Sequence, residues 1–118
     1  MAGTVTIPTE EHNDNLQKVV FSWTSSAAGA ADATTNYGYS GLVERVLIVP
    51  GATTPSDQFD VVLLDDDARD LLYGAGANCS NADTTVIEDA GIVANDHLTL
   101  GVTNAGDAKN GTVVVFVR

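Results

Sequence analysis

The residues able to do chemistry are few. Asp60, Asp65, Asp66, Asp67 and Asp70 form an acidic run that could offer oxygens to a calcium ion. Calcium needs several oxygens converging on one point, and the helix-loop-helix sites space their acids around a central glycine. Here three acids are consecutive, no glycine takes the sixth place, and Arg69 intrudes. The run reads better as a solvated turn with a carboxylate at a helix N-terminus. His12 and His97, even with Cys79, are too few for a zinc centre, which takes three or four ligands. Cys79 lies in Asn78-Cys79-Ser80 with no basic neighbour to activate it. Ser80, Asp96 and His97 could be drawn as a triad, but no nucleophile elbow precedes the serine. Gly74-Ala75-Gly76 lacks the remaining residues of a phosphate-binding loop. No catalytic residue, metal site or cofactor is expected.

The elements that would position such groups are strands. Thr4-Val5-Thr6-Ile7 alternates polar and apolar before Pro8, and a polar stretch then runs to Gln17. Lys18 to Thr24 is β-branched and aromatic, and Ser25 to Asn36 is a run of small residues that reads as a loop. Gly41 to Pro50 and Phe59 to Leu64 are the strongest strands. Asp65 to Tyr73, closed by Gly74, fits one or two turns of helix. Thr84 to Glu88, Asp96 to Thr103 and Gly111 to Arg118 complete the set, and Asn104 to Asn110 joins the last two as a hairpin loop. In His97 to Thr103 the even positions, Leu98, Leu100 and Val102, should face a core.

These elements predict an all-β fold: an antiparallel, jelly-roll-like β-sandwich of about seven or eight short strands, with at most one short helix near residues 66–73. Residues 1–17 form an N-terminal arm or an edge strand, and residues 18–118 one β domain. At 118 residues and 44% hydrophobic composition a single core is enough for the chain.

Charge narrows the partners. Sixteen acids against five Lys and Arg give a formal net charge of -11, which repels phosphate backbones and anionic lipid. Neither nucleic acid nor membrane is an expected partner. One cysteine excludes an internal disulfide. The first residues lack a signal peptide's basic and apolar regions, which predicts synthesis in a cytoplasm.

With no catalytic constellation, the surface becomes the working part. Tyr37 and Tyr39 flank Gly38 at a loop end and suit an interface. Thr4, Val5, Thr6 and Ile7 could add as a strand to a neighbour's sheet, or form an edge strand of their own.

Val20-Phe21-Ser22-Trp23-Thr24-Ser25, Gly41 to Val46, Phe59 to Asp67, Asp70 to Gly76, Leu98 to Gly106 and Gly111 to Arg118 resemble small virion structural proteins of tailed bacteriophages. The likeness spans most of the chain from about residue 18. Within such proteins it points to a capsid decoration, or cement, protein. That resemblance implies a non-enzymatic role on the outer capsid surface of the virion, made in the host bacterial cytoplasm. It implies the major capsid protein as partner and a homo-oligomer, most often a trimer. Two alternatives stand beside it: another virion component of neck, head-completion or tail, and a sugar-binding β-sandwich using Tyr37, Tyr39 or the turn at Asp65 to Asp67.

Overall fold

The computed structural model describes residues 3–10, 16–88 and 90–118. Among these residues there are nine strands: β1 (Thr4–Glu10), β2 (Gln17–Thr24), β3 (Ala31–Thr34), β4 (Tyr39–Pro50), β5 (Asp60–Leu64), β6 (Thr85–Glu88), β7 (Ile92–Asp96), β8 (Thr99–Thr103) and β9 (Asn110–Val117). They form two antiparallel sheets. The larger runs β1-β2-β9-β4-β6, with β7 also on β4; the smaller runs β3-β8-β5. The chain is an all-β sandwich. Among the described residues there is no helix, and so none long and apolar enough to cross a membrane.

Period-2 alternation builds the core. In β2 the buried set is Val19, Phe21 and Trp23; in β9 it is Val113, Val115 and Val117. From the smaller sheet come Val61, Leu63, Leu100 and Val102, all within one contiguous cluster with Tyr39, Val46 and Ile48. Trp23 of the larger sheet meets Phe59, just before β5, with ring centroids 5.9 Å apart. The sheets are held together by branched and aromatic side chains that exclude water, the dominant favourable term in folding.

Four local expectations give way to tertiary structure. The small-residue stretch yields β3, because Ala31 is buried and pairs with Val102 of β8. The strand expected from Asp96 to Thr103 is β8, in the smaller sheet and starting at Thr99, while Asp96 ends an unexpected strand, β7, on the larger sheet. Asn104 to Asn110 is therefore no hairpin loop. It carries the chain from one sheet to the other, tied to its neighbours where Ala105 N–H donates to Gly29 and Asn110 N–H donates to Thr53.

The segment after β5 makes consecutive turns in place of helical ones. Asp65 Oδ1 accepts the N–H groups of Asp67 at 2.9 Å and Arg69 at 3.0 Å, and Ala68 sits at φ 59. A left-handed residue there stops a right-handed helix, and a side-chain acceptor competes with its backbone bonds. Leu71 N–H then donates to Leu63, returning the chain along the outer edge of β5.

Thr4 to Ile7 lie within β1, which pairs with β2 of its own chain at the edge of the larger sheet. Residues 11–15, which include His12, lie outside the described residues.

Candidate functional site

The acidic side chains expected to mark chemistry close loops. Asp70 accepts backbone N–H groups from Leu63, Leu72 and Gly74, at 3.3, 3.0 and 2.9 Å. Asp60 takes the Asn78 N–H at 2.9 Å with one oxygen and the Asn104 amide with the other. Glu10 holds the turn before β4 through the N–H groups of Asn36 and Tyr37. Each carboxylate accepts at least one backbone N–H, a bond stronger than a neutral one. Among the described residues no three His, Cys, Asp or Glu side chains are grouped to hold a metal ion.

The other reactive groups are equally committed. His97 Nδ1 stands 3.5 Å from Asp66, which also accepts the His97 N–H. Ser80 caps its own turn through Ala82 and Asp83, while Asp96 accepts the N–H of Ala94. Cys79 is buried and donates to the Gly76 carbonyl at 3.0 Å. Burial pushes its thiol pKa up, the reverse of what a nucleophile needs.

Of the two tyrosines expected at an interface, one is not available. Tyr37 is 52% exposed, but Tyr39 is fully buried. Two-residue spacing puts side chains on one face only within a strand, and Tyr37 belongs to the turn before β4. Val5 and Ile7 likewise pack against the core, leaving Thr4, Thr6 and Pro8 outward from β1. Glu10 ties the end of this strand to the Tyr37 turn.

Tyr39 gives a pH signature. Burial first, then the charge of Glu10 and a hydrogen bond to it, push its phenol well above the ordinary value of 10.0. The folded state thus holds this proton more tightly than the unfolded chain does. Its contribution to stability is complete below about pH 10 and declines above it, by about 1.4 kcal/mol per pH unit until the folded group itself titrates. Cys79, raised in the same direction, starts its own loss at lower pH. Urea unfolding at pH 8 and pH 11 should show a fall that Tyr39→Phe reduces; an identical fall in that variant would contradict the assignment.

The sequence gives less warning of the larger surface. On the outer face of the larger sheet the register aligns three rows. Thr6, Ser22, Thr112 and Val49 form one across β1, β2, β9 and β4. Val20, Val114, Leu47 and Val86 form the next across β2, β9, β4 and β6. Lys18, Phe116, Arg45 and Glu88 form the third across the same four strands. One row is largely hydroxyl, the middle one is wholly apolar, and the last is charged around an aromatic ring.

A β-bulge creates the charged row. Val43 opposes Val117 and Arg45 opposes Phe116, so Glu44 is the extra residue. Val43 and Val46 are both buried, which leaves Glu44 and Arg45 facing outward together. Arg118 pairs with Glu44 at 2.9 Å and Arg45 with Glu88 at 4.0 Å. Lys18 Nζ lies 5.9 Å from the centre of the Phe116 ring, within cation–π reach. Leu16, Phe116, Glu44, Arg45, Glu88 and Arg118 line a shallow groove of about 260 Å³. Val86 is 54% exposed and Leu16 41%. Continuous apolar runs in β4 and β9 were the available signal, but such runs also describe a strand covered on both faces.

No family model and no curated protein matches the chain. Among solved structures it is similar to a low affinity xylan binding module, CBM86, from Roseburia intestinalis, at 15% identity and TM-score 0.41, covering 100% of this chain and 96% of that one. It is also similar to a cupin-superfamily sugar phosphate isomerase from Silicibacter pomeroyi DSS-3, at 20% identity and TM-score 0.24. That match covers 86% of this chain and spans about half of the isomerase, 51%.

Proposed function

We propose that the chain is a non-catalytic structural protein that works by surface contact, of the capsid decoration type that its sequence resembles. The observation that supports this most is the outer face of the larger sheet. A row of four aliphatic side chains, one from each of four neighbouring strands, loses free energy when another protein covers it. The other groups favour the same reading: the carboxylates close loops, and the thiol is sealed in the core.

A decoration protein needs a contact with its own copies and a contact with the shell. The outer face offers one, and the exposed Tyr37 turn, tied to the end of β1 through Glu10, offers the other. Several weak contacts made at once would give attachment by avidity. The partner is then the major capsid protein and the location the virion surface.

Co-sedimentation with undecorated capsid shells tests this. Binding should saturate at a copy number set by icosahedral symmetry, and Tyr37→Ala should weaken it roughly tenfold, the effect of losing one exposed aromatic contact. Binding confined to one vertex or to tails would move the assignment to another virion part. Retention on a xylan or other glycan column, lost in Tyr37→Ala, would replace it with the sugar-binding reading, for which Tyr37 supplies the exposed ring.

A further inference from the structure

Resting on the contact-protein reading, we infer that the outer face of the larger sheet is covered by a second copy of this chain, the two faces stacked about a twofold axis. The charge distribution selects this occupant. Among the described residues, three of the five cations, Lys18, Arg45 and Arg118, gather on the face with two acids, Glu44 and Glu88. The other described residues carry two cations against eleven acids. Two copies approaching by any other side bring strong negative fields together. Among the described residues the charges on this face nearly cancel, so self-association meets a low electrostatic barrier there.

Other occupants fit less well. A strongly basic protein gains more on the acidic remainder. A strongly acidic one, or an anionic lipid surface, needs free cations, and here Arg45 and Arg118 are engaged with Glu88 and Glu44. A face that carries both signs around an apolar centre is complemented by another that does the same.

The rows give the arrangement. The apolar row, Val20, Val114, Leu47 and Val86, lies between the hydroxyl row and the charged row. A twofold axis along the apolar row stacks that row on itself. It then lays the charged row of one copy over the hydroxyl row of the other. Lys18 would then face Ser22, whose hydroxyl can accept from it, while Phe116 and Arg45 would lie over Thr112 and Val49. Like charges stay apart, and the contact is isologous, so it closes at two copies.

Light scattering and analytical ultracentrifugation of the intact chain test the inference. A mass twice the monomer's 12.2 kDa is expected at micromolar concentration. Added salt should strengthen the association, because it screens the repulsion between two copies of charge -11 and leaves apolar burial intact. Leu47→Lys should weaken the dimer roughly a hundredfold, since a twofold contact loses the side chain twice. Its lysine also lowers the net charge, so added repulsion cannot explain the loss. If Leu47→Lys disturbs folding by circular dichroism, Val86→Lys at the more exposed end of the row gives the same reading.

A monomer throughout, a mass three times 12.2 kDa, or a dimer unchanged in both lysine variants would each overturn the inference. The shell assay answers separately. A monomeric wild type that saturates shells would leave the decoration reading standing without this dimer, and a dimer that ignores shells would do the reverse.

Discussion

Replacing Trp23 by alanine is expected to remove about 3–5 kcal/mol of stability, the largest effect of any single truncation in this chain. Trp23 is the largest of the fully buried side chains. Its indole spans the interior from β2 to Phe59 on the opposite layer, and it fills the space under Gly111 of β9. A Cβ at Gly111 would lie 2.6 Å from the ring. Removing the ring leaves a void between two rigid sheets, which can close only if one moves. A domain of this size has roughly 5–15 kcal/mol in total, so the variant should be partly unfolded at modest urea. Equilibrium unfolding in urea checks this. A loss below 1 kcal/mol would mean that the layers are not joined through this residue.

Gly41→Ala should cost about 2–4 kcal/mol, for a different reason. Gly41 sits in β4 at φ +127, where the register against β7 shifts. L side chains rarely adopt that conformation, and a Cβ there would fall 2.4 Å from the Arg118 carbonyl oxygen. The oxygen belongs to a backbone already bonded to Leu42 on both sides, so it cannot swing away. Gly74 supplies the control. It also has positive φ, +81, but nothing stands within 4 Å of its added Cβ. Gly74→Ala should therefore lose only the backbone term, about 1 kcal/mol. Equal losses in the two variants would show that the close approach to Arg118 contributes nothing. Displacing Arg118 should also release Glu44, so Gly41→Ala ought to weaken contacts made through the outer face.

The inner faces of the sandwich were legible because alternation is a local signal. Leu98, Leu100 and Val102 are buried where their spacing puts them, and Trp23 and Phe21 share their face with Val19. What was not legible depends on which strand lies beside which. Ala31 to Thr34 carries little β preference of its own and becomes a strand only against β8. Asn104 to Asn110 has the composition of a hairpin turn, but composition does not say that β8 and β9 belong to different layers.

The candidate surface was hidden for a related reason. Val113-Val114-Val115-Phe116-Val117 is apolar on both faces, and nothing in the run says which face is left bare. The rows exist only once β2, β9, β4 and β6 are in register. The bulge at Glu44 is likewise invisible until Phe116 is seen opposite it. Thr4 to Ile7 and Tyr37 were legible as surface in part. Tyr39 was not, because the start of β4 falls between the two tyrosines.

Glu10, Asp60, Asp65 and Asp70 act as tethers for the connections between strands. Much of the molecule's negative character is therefore a by-product of how its turns are closed. Lysine in those places would offer a donor where an acceptor is required. Reversing the sign of this protein by design would have to begin elsewhere, or the turns would open before the charge had changed.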